Sequence, residues 1–242
     1  MEKMDLMNFM SVSKDEEKQM AKPHKTRKPS VSRGTAAQIF FKYKVWGRLE
    51  VTGSYDIPVI KPYEVYDLPN RFVPFHKAMS SKQTDCIVHF FLDDALFARI
   101  FRNPDKYVEI LKRYRYVITP DLSELTDMPY FMRLGLSGLN RTWAAYWQSK
   151  GVNIILNLTW SLHDSYAYSF DGIPKGLVVA ISSLGVRKSN FCTSLWLDGY
   201  KRVLEQLEPS LIIRYGEKIP SEREDISIYF DNEHLNRMRN GK

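Results

Sequence analysis

The chain has 242 residues, of which 44% are hydrophobic and 13% aromatic, ample for a well-buried core. No stretch approaches the roughly 18 uninterrupted apolar residues of a membrane helix, and Met1 to Met10 carries acids and no sustained apolar run. A soluble, cytoplasmic protein without a secretory leader or membrane contact is therefore expected. The formal charge of +7 is unevenly spread, since Lys18 to Arg33 holds six basic residues and no acid.

Residues 1–35 are rich in Lys, Ser, Met and Pro and lack a durable period, which predicts a disordered basic arm. Within it Lys22, Lys25, Arg27, Lys28 and Arg33 suit salt-sensitive contacts to nucleic acid phosphates, although a solvated leader has the same composition. Met4, Leu6, Met7, Phe9 and Met10 share one helical face that is too short to persist undocked. Residues 36–242 read as a single α/β domain. Ile39 to Lys44 resembles an aromatic strand, and residues 45–80, punctuated by Gly53, Pro58, Pro62, Pro69 and Pro74, read as irregular packing.

Cys86 to Leu92 predicts the first regular strand, ending at Asp93 and Asp94. A short helix is expected from Ala95 to Phe101. Asn103-Pro104-Asp105 then opens another: an Asn cap, Pro at the first helical position, and an acid in the first turn. A strand from Tyr116 leaves the sheet at Pro120-Asp121. The spacing of Met132, Leu136, Leu139, Trp143 and Tyr146 predicts a helix over 130–150 with those residues buried, Arg133 and Arg141 solvated, and Gly151 as its αL stop.

The runs Val152 to Trp160, Leu177 to Ser183 and Leu211 to Gly216 read as further buried strands, and Ile226 to Phe230 as a last one. The polar loop from Ser161 to Gly176 accommodates one short helix, while Trp196, Tyr200, Val203, Leu204 and Leu207 mark a longer helix from about Asn190 to Glu208. Alternating strands and helices predict an α/β fold: a mostly parallel sheet of about six strands with helices on both faces, doubly wound or an incomplete barrel.

In such sheets ligands bind at the carboxyl ends of the strands, which directs attention to the polar residues there. Asp121 follows Pro120, which cannot extend the ladder, so its carboxylate belongs at the rim; it suits a general base, a metal ligand, a hydroxyl acceptor or a turn cap. His163 and Asp171 share the long polar loop and are spaced for a His–carboxylate pair, so Asp121, His163 and Asp171 are the catalytic candidates. Ser123, Trp160, Ser182, Tyr215 and Gly216 lie at other strand ends as ligand-binding candidates. Gly185 with Arg187 and Lys188 precedes a helix N-terminus, a geometry suited to an anion or to a merely solvated turn. His89, inside an apolar strand, reads as a core histidine. No metal site or cofactor motif is indicated, because a metal needs three or four convergent ligands and neither a Walker nor a Gly-x-Gly-x-x-Gly pattern occurs. Cys86 and Cys192 read as reduced and buried.

Tyr116-Val-Ile-Thr-Pro-Asp-Leu-Ser123, Asp127-Met-Pro129, Trp143, Tyr146-Trp147, Trp160, Phe170-Asp-Gly-Ile-Pro174, Gly185-Val186, Gly199-Tyr200 and Tyr215-Gly216 occur in that order. Together they resemble an uncharacterised domain-of-unknown-function family of bacteria, phages and integrative mobile elements, over about residues 70–230. The resemblance implies a phage or mobile-element setting and a cytoplasmic protein; it implies no established activity. Two functions fit these residues. One is an interaction protein that binds nucleic acid or a host partner. The other is a nucleotide-like small-ligand-binding protein or enzyme with its pocket at the strand ends.

Overall fold

The computed structural model describes residues 49–230, so the basic arm with Lys22, Lys25, Arg27, Lys28 and Arg33, the Ile39–Lys44 run and the end from Asp231 lie outside the described residues. Two short strands, β1 (Val51–Thr52) and β2 (Ile57–Pro58), pair as an antiparallel hairpin. Seven more form one all-parallel sheet: β3 (Phe72–Pro74), β4 (Ile87–His89), β5 (Tyr116–Ile118), β6 (Ile154–Asn157), β7 (Val178–Ser182), β8 (Leu211–Tyr215) and β9 (Ser227–Phe230). The sequence reading missed the β1–β2 hairpin and, in the parallel sheet, β3, all within the segment read as irregular. Strand β3 lies at the sheet's edge, where Pro74 breaks no ladder, and Pro74 is also the residue from which the next helix starts.

The helices are α1 (Phe75–Ala78), α2 (Asp94–Phe97), α3 (Arg99–Arg102), α4 (Pro104–Leu111), α5 (Tyr130–Ser149), α6 (Tyr166–Ser169) and α7 (Asn190–Leu207). Asn103 precedes Pro104 as expected, yet its side chain makes no capping hydrogen bond. Ser189 does cap α7, accepting from the Cys192 amide at 3.1 Å.

Strand order in the sheet is strand order in the chain, which selects the incomplete barrel over the doubly wound alternative. When every crossover steps the same way with the same hand, the helices collect on one face, where the sequence pattern predicts them on both. That convex face carries Phe90, which packs against Phe75 of α1, Phe97 of α2 and Trp147 of α5 with ring centroids 4.7–5.4 Å apart. The concave face is filled without helices, by Ile87, Phe91, Tyr116, Ile118, Ile155, Ala180, Ile213 and Tyr215, with Val65 and Leu68 laid over them. The sheet curls until its first and last strands meet through side chains, Phe72 stacking on Phe230 at 3.5 Å between centroids.

Two tyrosine hydroxyls fasten the segment that covers the concave face. Tyr116 accepts from the Tyr66 amide and donates to the Tyr66 carbonyl, both at 2.8 Å. Tyr63 accepts from the Leu156 amide (2.9 Å) and donates to the Val178 carbonyl (2.7 Å), joining β6 to β7 where their pairing begins.

Helix α5 departs from the amphipathic reading. Trp143 and Tyr146 are buried, but Met132 is exposed, and the first half of the helix buries Arg133, Ser137, Asn140 and Arg141 instead. The two arginines, expected in solvent, are 4% and 5% exposed because each finds acceptors inside. Arg133 forms a two-toothed pair with Asp164 at 2.6 and 2.8 Å. Arg141 donates to the carbonyls of Asp171 and Ser169 at 2.6 and 2.7 Å, and burial lowers its pKa to about 10. Polar residues can occupy a core face when every donor is met. No helix of the described residues is long and apolar enough to cross a membrane.

Candidate functional site

A cleft of about 280 Å³ opens at the carboxyl ends of β4, β5, β6 and β7, bounded by Leu92, Asp121 to Leu125, Leu158 to Trp160, Ser182, Leu184 and Val186, with Trp196 of α7 behind. Its position follows from the parallel sheet: all four strands end on one rim, so residues far apart in sequence converge there.

The floor is built where β5 stops. Pro120 ends the ladder, and the Thr119 hydroxyl just before it accepts from the Asn157 amide at 2.9 Å. The Asn157 side chain, only 4% exposed, donates through Nδ2 to Asp121 Oδ1 at 2.8 Å and to the Pro120 carbonyl at 3.3 Å. One turn on, Glu124 Oε1 accepts from the Thr159 hydroxyl at 3.1 Å, and that hydroxyl accepts from Asn140 Nδ2 at 3.3 Å. Burial pushes the Asp121 pKa up to about 6, the Asn157 hydrogen bond opposing and Asp94 adding to the rise. Burial likewise lifts Glu124 to about 7, opposed by Thr159 and Arg133 and reinforced by Asp121. Asp94, raised by its own burial, completes the acidic group, whereas Asp93 accepts from the Ala95 amide at 3.1 Å as the cap of α2.

Four buried carboxyl and amide oxygens have no hydrogen-bond partner among the described residues: Glu124 Oε2 on the cleft lining, and Asn157 Oδ1, Asn140 Oδ1 and Asp94 Oδ1 on residues outside it. The amide orientations are dictated by chemistry. Turning Asn157 around would set oxygen against the Asp121 carboxylate, and turning Asn140 would face an oxygen already donating its proton to Glu124.

Two indoles form the wall. Trp160 lies so close on Gly199 of α7 that a Cβ there would sit 2.1 Å from its Nε1. Trp196 donates from Nε1 to the Ser182 carbonyl at 2.9 Å and stacks on Tyr200 at 5.1 Å. The Arg214 guanidinium lies 4.6 Å from the Trp196 ring centre. Arg214 and Glu222 have fully buried side chains and pair through two contacts, at 2.6 and 2.8 Å. Glu222 also accepts from the Ile219 amide (2.7 Å) and the Tyr229 hydroxyl (3.0 Å), and Arg214 donates to the Ile181 carbonyl (2.7 Å). Trp196 is thus a fixed buttress, and half-exposed Trp160 is the face left for a ligand.

Of the residues singled out in the sequence, Asp121, Ser123, Trp160 and Ser182 come together on the cleft. Gly185, at φ 75°, turns the chain between the lining residues Leu184 and Val186. Arg187 pairs with Glu217 at 3.0 Å, and the Lys188 side chain folds over Gly185. His163 and Asp171 do not form the pair their spacing suggested: His163 meets Asp198 at 3.2 Å on the surface, and the Asp171 carboxylate packs over Gly53 near the hairpin. Tyr215 turns into the concave core, stacked on Phe91 at 4.6 Å, and Gly216 packs against Ser183. His89 is in that core too, held neutral by burial and by His76, with its pKa lowered to about 3. Among the described residues no group of three His, Cys, Asp or Glu is arranged to hold a metal ion. Sequence reasoning passed over Glu124, Asn157, Asn140, Trp196 and Arg214. Asn157 and Arg214 did carry a signal, as polar residues inside otherwise apolar strand runs.

Chemically, the cleft combines an indole face with two carboxyls, of pKa about 6 and 7, and an unpartnered oxygen on Glu124. Known proteins similar to the chain are phage proteins. The Gene 1 protein of Mycobacterium phage L5 is 33% identical over 170 residues, covering 69% of this chain and 74% of that protein. The Gene 1 protein of Mycobacterium phage D29 is 32% identical over 167 residues, covering 68% of this chain and 62% of that protein, so less than two thirds of the D29 protein's length is spanned. No solved structure matches. Residues 49–233, the seven-stranded sheet and its cleft included, match the family described as Domain of unknown function (DUF4417), and the chain belongs to that family.

Proposed function

We propose that this phage-type protein binds a nucleotide-like ligand in the cleft at the carboxyl ends of β4 to β7. The observation that carries the reading is one cleft holding both the half-exposed Trp160 indole and the Asp121–Glu124 pair. A base stacked on an indole gains about 1–3 kcal/mol, and carboxyl oxygens suit the N–H groups of a base edge. The acidic floor repels phosphate, which would leave toward Arg187 and Lys188 beside the N-terminus of α7. Two carboxyls titrating near neutrality also suit general acid–base work on such a ligand. Native mass spectrometry of the full chain purified from its own host is the test. A nucleotide-sized mass that is lost in Trp160→Ala is expected. Absence of any such mass, with no nucleotide or nucleoside altering tryptophan fluorescence at millimolar concentration, refutes the reading.

The charge of the N-terminal arm favours a second reading, in which Lys22, Lys25, Arg27, Lys28 and Arg33 hold nucleic acid, or a host protein, while the body works in the cytoplasm. Nucleic acid affinity should then fall steeply with added salt and vanish on deletion of residues 1–35. Salt-independent binding, or none in the full chain, refutes the nucleic acid role.

A further inference from the structure

We infer that the cleft floor reads a planar ligand edge carrying adjacent N–H donors, of the kind shared by a guanine base and a guanidinium group. The inference rests on the cleft being a ligand site and goes on to name what enters it. The amide and hydroxyl donors that hold the floor together already have partners. Asn157 Nδ2 is committed to Asp121 and the Pro120 carbonyl, Asn140 Nδ2 to Thr159, and the Thr159 hydroxyl to Glu124. Glu124 Oε2, Asn157 Oδ1 and Asn140 Oδ1 are left buried without partners. Asn157 is more than nine-tenths buried, and its nitrogen holds the carboxylate of the lining residue Asp121. Buried acceptors without donors are rare in folded proteins, and one of these, Glu124 Oε2, belongs to a residue that lines the open cleft, where a ligand could bring the donor.

Charge points the same way. The cleft lining contains Asp121 and Glu124 and no Lys, Arg or His, and Arg133, the nearest cation to Glu124, is taken by Asp164. An adenine edge would set its ring-nitrogen acceptor against these oxygens. A guanine edge brings a ring N–H and an exocyclic amine, and a guanidinium brings the same pair with a positive charge. Trp160 then distinguishes the two sources, because a purine ring stacks more extensively on an indole than a small cation does.

Calorimetric titration of the full chain with guanosine, inosine, adenosine and agmatine tests this. Each hydrogen bond to a charged acceptor changes affinity by about tenfold to a hundredfold. Guanosine should therefore bind at least about tenfold tighter than inosine, which lacks the exocyclic amine, and tighter still than adenosine. Agmatine binding as well as guanosine identifies a guanidinium ligand; agmatine binding much more weakly identifies a base. Glu124→Gln, which supplies a donor in place of an acceptor, should cost guanosine about tenfold while improving adenosine, a reversal that loss of folding could not produce. Adenosine binding as tightly as guanosine overturns the inference but leaves the cleft as a nucleoside site. Binding of none of the four overturns both.

Discussion

Replacing Glu222 by Ala removes the acceptor for four donors at once: two guanidinium contacts from Arg214, the Ile219 amide and the Tyr229 hydroxyl. Both charged side chains are fully buried, so Arg214 would keep its charge with only the Ile181 carbonyl and the Trp196 face for company. Stranding one member of a buried pair costs about 3–5 kcal/mol. For a body of this size that corresponds to a fall in Tm of roughly 6–20 °C. Adding Arg214→Met should recover much of the loss, because the stranded charge is gone. Recovery should stop about 1–3 kcal/mol short, since the Ile219 amide, in a residue 1% exposed, still lacks an acceptor. Urea unfolding followed by circular dichroism measures all three variants. A loss below 1 kcal/mol for Glu222→Ala, or a double variant worse than either single one, would refute the idea that this pair is a mutually dependent unit.

Other outcomes follow from the cleft and the sheet. Asp121 and Glu124, raised to about 6 and 7, keep protons that the unfolded chain has already released, so their contribution to stability declines as pH rises from about 4 to 7. Asp121→Asn and Glu124→Gln should flatten that decline and each exceed the parent by on the order of 1–3 kcal/mol at pH 8, with little difference at pH 4; parent stability that rises across this window contradicts the assignment. Gly199→Ala should destabilise by about 1–3 kcal/mol and displace Trp160 despite alanine's better helix propensity, because the added carbon meets a rigid indole at 2.1 Å; an unchanged fluorescence spectrum and Tm would count against it. Tyr63→Phe leaves the Leu156 amide and the Val178 carbonyl unpaired, so a loss of about 1–3 kcal/mol and faster hydrogen exchange at Leu156 are expected; unaltered exchange there shows that the hydroxyl is not a strut.

The strands that sequence patterns reveal best are those buried on both faces, and β5 to β8 were legible because their apolar runs end at Pro120, Trp160, Ser183 and Gly216. Strand β3 has three residues, too few to display a period, and only pairing with β4 makes it a strand. Asp121 was legible through Pro120, a local effect. Glu124 was not, because its importance lies in Thr159, 35 residues away. The same distance problem reversed the reading of Arg133 and Arg141: a charge on a helix belongs in water unless something inside accepts it, and Asp164 and the Asp171 carbonyl are brought there by the fold alone. His163 and Asp171 were close in sequence, yet they diverge because the short helix between them points each toward a different neighbour.

The ring contact between Phe72 and Phe230 gives the curled sheet a latch instead of a weld. No ladder hydrogen bond crosses from β3 to β9, so parting the two edges sacrifices aromatic contact worth about 0.5–1.5 kcal/mol beyond the area uncovered. Behind that latch sits His89, 5.9 Å from the Phe230 ring and kept neutral by its surroundings. Water reaching the imidazole through an opened latch would let it take a proton at ordinary acidity, and the charged ring could not be sealed in again without giving that proton up. Lowering the pH would therefore weaken the latch, because a protonated His89 is tolerated only with the edges parted.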